Sequence, residues 1–407
     1  MSVAPAHSPA APTPFQSASG PAALAVLLVA STLTVMAGAV LVPALELIRT
    51  DLGLSATQAG MVLSAHGLSL AVASPAVGAL ADRLGLRRVL AGGLALYGIA
   101  GGAGALLDSY PALIATRVLF GMGAAAVFVG STAALVDLYR GEARDRVMGW
   151  RSAAISVGGL AWPLAGAALA ALSWHAPFAL YLAGLPLGVA ALAALPLDAP
   201  PRSATAAGSP PWRALGAVRP VRALLSLQLL AAILLYAVLA FVPMHLAELG
   251  RAGPLTIAAC TSALSAAMTV AGFGFAAARA RYGNDGLLRA ALGIWALALA
   301  GLGLTGHAAA VIAASAAVGV GMGLAVPALT VGVGAAVPSA QRGRATALLA
   351  SATFAGQFAA PLLLGPVVER TSAATGFLVA AAVGALAFAW SLRAPREVLS
   401  PAPREAA

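Results

Sequence analysis

Apolar stretches of about twenty residues recur along the whole of this 407-residue chain, with little sequence left between them. Each is long enough to cross a hydrocarbon core of about 30 Å as a helix. In lipid, only helices and closed barrels satisfy their own backbone hydrogen bonds. Composition agrees: 61% of residues are hydrophobic and 9% are charged, and the mean hydropathy is +0.93. Soluble domains are about 45–50% apolar. The class is an all-α polytopic membrane protein.

Twelve spans are predicted. The first six cover 25–45, 58–80, 89–107, 113–135, 152–172 and 178–195. The second six cover 223–246, 254–278, 287–304, 308–331, 346–364 and 376–392. Between them, 198–222 is rich in Pro, Ser and Arg and reads as a linker. The expected organisation is a disordered tail (1–22), a six-helix bundle (23–197), the linker (198–222), a second six-helix bundle (223–393) and a tail (394–407).

The arginines orient the chain. All 23 basic residues are Arg. When sides alternate between the predicted spans, nineteen of the 23 fall on one side. Arg49, Arg251 and Arg370 fall on the other, and Arg117 lies inside the fourth span. Positive charge collects in the cytoplasm, so both termini are expected there. The net charge of +10 does not point to nucleic acid, because it is scattered over short loops and forms no basic stripe. Cys260 is the single cysteine, which leaves no intrachain disulfide and no cysteine-based metal cluster. No catalytic residue, metal or cofactor is expected.

Three motifs interrupt the apolar pattern. Gly78-Ala-Leu-Ala-Asp82-Arg83-Leu-Gly85-Leu-Arg87-Arg88 is a charged turn between the second and third spans. Arg117-Val-Leu-Phe-Gly121-Met-Gly123 places a permanent cation in the fourth span, where an Arg costs about 2.5–3.5 kcal/mol on insertion scales. Gly158-Gly-Leu-Ala-Trp162-Pro163-Leu-Ala-Gly166-Ala167 combines a proline with small residues in the fifth. Such a segment can bend and can let helices approach closely. Gly121-Met-Gly123 recurs as Gly321-Met-Gly323, 200 residues later, as a paired repeat would.

Together these motifs resemble the Major Facilitator Superfamily of transporters, and the resemblance covers nearly the whole chain. It implies two six-helix bundles that alternate access to a midplane site. In that family the charged turn is a conformational latch, here Gly78, Asp82, Arg83, Gly85, Arg87 and Arg88, with Asp137 as its charge partner. The Arg117 and Gly121 motif resembles one associated with proton-coupled members. The fifth-span motif, Gly158, Trp162, Pro163 and Gly166, resembles that of the drug-exporting branch. It departs from the pattern at Trp162 and Ala167.

The implied function is proton-coupled efflux of small organic compounds, drug-like molecules or a secondary metabolite, by a monomer in the bacterial inner membrane. A proton-coupled importer of a sugar or organic anion on the same fold is the alternative, and a membrane-embedded enzyme a lesser one. Against an enzyme, the chain has no HExxH, no paired membrane aspartates and no Gly-rich Lys loop.

Polar side chains at membrane depth are candidates to line the cavity: His66, Gln228, Tyr236 and Gln357. Arg117, Gly121, Glu46 and His66 are the candidates for proton coupling, with Glu46 a possible partner of Arg117. No Asp or Glu falls in the middle of a predicted span.

Cys260→Ala leaves a thiol-free background for labelling. Ala206→Cys and Ala402→Cys are expected to react only from the cytoplasm, and Gly306→Cys only from outside. Reaction of Ala206→Cys from outside intact cells would reverse the orientation.

Overall fold

The computed structural model describes residues 20–196, 218–338 and 341–401. Most of the expected tails and of the linker lies outside the described residues. Among those described there is no strand, and twelve helical crossings form two bundles of six.

In the first bundle these are α1 (Pro21–Ala39), α2 (Ala56–Leu84), α3 (Leu86–Gly102), α4 (Tyr110–Leu138), α5 (Gly141–Ala170) and α6 (Gly184–Ala194). The second contains α7 (Arg219–Glu248), α8 (254–282), α9 (284–304), α10 (Ala308–Ala335), α11 (Arg342–Arg370) and α12 (Ala373–Arg393). α8 and α9 are hydrogen-bonded through without a loop over Pro254–Leu304, 51 residues in all. Straight, that helix would be about 76 Å long, more than twice a membrane. It turns at Gly283, whose φ of 71° only glycine adopts at little cost. Gly85, with φ 90°, makes the equivalent turn between α2 and α3.

Three boundaries differ from the sequence expectation. The first span does not run unbroken from 25 to 45. α1 ends at Ala39, and a short 3-10 turn, Val42–Ala44, leads into a helix at Leu45–Asp51. Pro43 lies inside that turn and cannot donate to a continuing helix. The sixth span begins as a 3-10 helix, Ala176–Ala183, before the eleven residues of α6. The tighter 3-10 rise lets these nineteen residues reach about 32 Å. α7 starts at Arg219, so Arg219 and Arg222 belong to its first turn and not to the linker.

The recurring Gly-Met-Gly word has one packing role in both halves. A methyl group on Gly121 would strike Ser69 and the His66 carbonyl of α2, and one on Gly123 would strike the backbone of α3 at Gly93 and Tyr97. In the second half, Gly323 meets α8 at Met268 and Gly321 meets Trp295 of α9. The fourth helix of each half is thereby wedged against the second and third. Small residues drive such contacts where lipid supplies no hydrophobic force.

The two bundles touch along α2–α11 and α5–α8, but only over half their depth. On the arginine-poor side, Gly60 of α2 abuts Pro361 of α11, and Gly365 abuts Thr57. The Thr57 amide donates to Glu369 Oε1 at 2.8 Å, across the bundles. On the other seam, Ser262 Oγ of α8 donates to the Leu160 carbonyl of α5 at 3.2 Å. Near mid-depth, Gly67 still meets Gln357 and Phe354. Toward the arginine-rich side contact ceases: Gly78, Gly149, Gly272 and Gly274 face open space. The molecule is closed on its arginine-poor side and open on its arginine-rich side.

Gly121→Ala is expected to lower stability by about 1–3 kcal/mol through overpacking. Gly334→Ala, with nothing near its added methyl group, should be neutral or stabilising by up to about 1 kcal/mol. Thermal unfolding of the purified variants measures both. Equal melting temperatures would remove the wedge.

Candidate functional site

α1 loses its regular hydrogen bonding at Leu41, whose amide turns to the Gly38 carbonyl at 3.3 Å. Two tyrosines from other helices supply bonds to this stretch. Tyr97 of α3 donates to the Leu33 carbonyl at 2.7 Å, and Tyr181 donates to the Ala37 carbonyl at 2.9 Å. The acceptors are four residues apart, so the tyrosines grip one face of α1 just before it breaks.

Arg117 sits behind Tyr181. It is wholly buried. Its Nη1 donates to the Tyr181 hydroxyl and its Nη2 to the Gly101 carbonyl, both at 3.4 Å. The guanidinium carbon lies 4.7 Å from the centre of the Phe120 ring and 5.0 Å from those of Phe178 and Tyr181. Cation–π contacts of about 1–2 kcal/mol each, two or three together, are of the size of the insertion cost. Its Nε has no hydrogen-bond partner. The anticipated pairing with Glu46 is absent: Glu46 forms a two-bond fork with Arg49, at 2.8 and 2.6 Å. The spacing i, i+3 on one helix puts the two side chains within reach of each other.

His66 packs edge-on against Phe120, ring centres 5.7 Å apart. It is buried, and its Nδ1 has no hydrogen-bond partner. A Cβ at Gly38 would lie 3.1 Å from the Tyr236 hydroxyl and 4.0 Å from His66. The end of α1 is therefore bordered by Tyr181, His66 and Tyr236.

The other cavity candidates separate. Gln228 is buried and donates to Thr353 Oγ1 at 2.9 Å, which ties α7 to α11. Gln357 is half-buried at the mid-depth crossing of α2 and α11. Beside it Phe128 and Phe354 meet edge to face across the two bundles, at 5.8 Å.

The α5 motif sits against the same break. A methyl group at Gly166 would strike the Val40 carbonyl. The Trp162 indole folds back over Gly158, where an added Cβ would stand 3.2 Å from the indole and 3.1 Å from Thr32 of α1. Trp162 Nε1 has no partner.

In the charged turn, Gly78 is half-buried and Asp82 exposed, and Asp82 forms no ion pair among the described residues. Arg83, Arg88 and Asp137 are exposed as well, and Arg87 is half-buried. Two features escaped the sequence reading. Glu369 holds the N-terminus of α2, where a carboxylate is favoured by the helix dipole. Trp174 is buried and donates to Asp51 at 2.8 Å, while the adjoining His175 meets Asp108 at 2.9 Å. An acid at the arginine-poor end of a span was the available signal for each.

The family model described as Major Facilitator Superfamily matches residues 27–308 and 224–407. The chain is 33% identical over 150 residues to the quinolone resistance protein NorA of Staphylococcus aureus, covering 37% of this chain and 38% of NorA. It is 36% identical over 131 residues to the class C tetracycline resistance protein of Escherichia coli, covering 30% of this chain and 31% of that protein. Each match thus spans well under half of the relative's length. Among solved structures, the D-xylose-proton symporter superposes with a TM-score of 0.74 at 16% identity, over 91% of this chain and 96% of that one. The nucleoside transporter NupG does so with 0.74 at 15% identity, over 92% and 99%.

Arg117→Ala is expected to abolish transport and to lower thermal stability, because it leaves Tyr181 without its cation and opens the aromatic box. Arg117→Lys keeps the charge but cannot reach Tyr181 and Gly101 together, so it should retain only a small fraction of activity. Uptake and unfolding assays at matched expression check this. Wild-type behaviour of Arg117→Ala would remove the box from the mechanism.

Proposed function

The chain belongs to the Major Facilitator Superfamily, and we propose that it is a proton-coupled exporter of small organic compounds working by alternating access. The observation that carries the direction is the 33% identity to NorA over 150 residues. We place the arginine-rich side in the cytoplasm of a bacterial inner membrane, with both termini inside, so the open vestibule faces inward. The working unit is a monomer of two bundles, 23–197 and 219–393, joined by 198–218, and it has no catalytic role.

In the inward-open state the seam at Gly60–Pro361, with its Thr57–Glu369 clamp, closes the outside. A substrate enters from the cytoplasm and reaches the level of Gln357 and the Phe128–Phe354 contact. Export requires the opposite geometry: the outer seam opens while the inner ends of α2 and α11 come together. Gly78, now facing open space, then meets α11, and the Asp82 turn becomes the inner latch with Asp137 and the nearby arginines. Contacts that exist in one state only set the balance between the two.

The break in α1 joins substrate and proton. α1 meets α5 at Gly166, α7 at Tyr236 and α2 at His66, so a change in its path alters both seams. His66 is the group left to exchange a proton.

Expression in an efflux-deficient host tests the reading. The wild type should lower accumulation of a panel of cationic and zwitterionic drugs, and a protonophore should abolish the effect. Energy-dependent accumulation of a sugar or organic anion would favour the import alternative. Asp82→Asn should insert normally yet impair export, since loss of a state-specific pair of about 1–3 kcal/mol skews the equilibrium several-fold or more. Full export by both Asp82→Asn and Asp137→Asn would reduce these acids to topology signals.

A further inference from the structure

A cavity of about 600 Å³ lies between α7 and α12, at the arginine-rich ends of both helices and away from the vestibule. Three arginines line it: Arg219 and Arg222 from the first turn of α7, and Arg393 from the last turn of α12. Among the described residues none of the three forms an ion pair, and no Asp or Glu lines the cavity. The positive end of the α7 dipole adds to their field. The nearby Arg396 is different, being paired with Asp285 at 3.5 Å. That contact, with Asn284 donating to the Leu399 carbonyl at 3.2 Å, pins the C-terminal segment whose Val398 closes the cavity.

Above the arginines the walls become apolar, with Leu227 and Leu230 on one side and Trp390 on the other. Trp390 also ends an exposed stripe on α12: Val379, Val383, Leu386, Trp390. The spacing of four, three and four residues is one face of a helix. An adjoining face of α12, at Gly376, Phe377, Ala380 and Gly384, is buried against the bundle. The stripe is thus lipid-facing, and the cavity continues it toward the charged end.

We propose that this groove is a binding site for an anionic phospholipid of the cytoplasmic leaflet. The phosphate group lies among Arg219, Arg222 and Arg393, an acyl chain runs along Leu227, Leu230 and Trp390, and the indole stands at headgroup depth. Basic pockets between helices at the cytoplasmic face recognise such headgroups, and guanidinium groups pair with phosphate through two parallel hydrogen bonds. A free phosphate would satisfy the arginines but leave the apolar wall unused. The leaflet, though not the chemistry, rests on the orientation proposed above. A lipid held here bridges α7 and α12 beside the linker between bundles, so its headgroup charge can bias the inward-open state.

Native mass spectrometry of the purified full chain, titrated with phosphatidylglycerol and with phosphatidylcholine, tests this. The wild type should retain phosphatidylglycerol preferentially. Each of Arg219→Gln, Arg222→Gln and Arg393→Gln should weaken it about fivefold, while Arg222→Lys keeps most of it. Brominated phosphatidylglycerol should quench the wild type more than Trp390→Phe, an independent reading that alters no charge. Millimolar inorganic phosphate should not displace the lipid. Equal retention of phosphatidylcholine, unchanged phosphatidylglycerol binding by the triple Gln variant, or displacement by phosphate would each overturn the proposal. Reversed cysteine labelling with intact lipid selectivity would overturn only the leaflet.

Discussion

A helix carbonyl without its usual partner, inside a membrane, is the constraint from which the first bundle is built. At the end of α1 the chain turns through Pro43, so the regular ladder stops where water cannot substitute. Tyr181 gives its hydroxyl hydrogen to Ala37 and so accepts from Arg117 with its lone pair. Arg117 in turn needs rings around it, and Phe120, Phe178 and Tyr181 come from α4 and the opening of the sixth span. Each part leaves the next unsatisfied if removed. The arrangement carries a permanent charge at depth without exposing it to lipid or substrate.

The same economy governs the seams. Gly60, Gly67 and Gly159 bring helices of the two bundles into contact, and these contacts stop at mid-depth. A seam made of small residues and a few hydrogen bonds can part without stripping large apolar surfaces from each other. The Thr57–Glu369 clamp suits this use, since a carboxylate at a helix end is hydrated readily when the seam opens. On the open side, the matching glycines are already in place with nothing against them. The two ends are alternatives, and the chain carries contact surfaces for both.

Most of the architecture was legible in the residues. Hydropathy located every crossing, because a span must be apolar for about twenty residues wherever it lies in the fold. The Gly-Met-Gly repeat marked the fourth helix of each half, and the structure gives both copies the same task. The latch and the α5 motif were visible as charge and proline in otherwise apolar sequence. Partners were less visible. Gln228 and Gln357 look alike in sequence, yet one is spent on Thr353 and the other stands at the crossing of the bundles. Glu46 lay at the right depth for Arg117, but the local i, i+3 pairing with Arg49 took it first. The α1 break was hidden because a 3-10 turn of Val, Pro and Ala is as hydrophobic as the helix it interrupts.

By itself, then, the sequence determined what the solvent enforces: membrane class, number of crossings, sidedness of the arginines, and the sites where only glycine or proline fits. Lipid and water act on each segment separately, so these properties are local and can be read along the chain. The tertiary structure alone decided which half-depth of each seam is closed, that Arg117 is boxed by rings, and that arginines from α7 and α12 share one groove. These depend on distances between helices far apart in sequence, set by side-chain packing summed over both bundles, and no single segment carries that information.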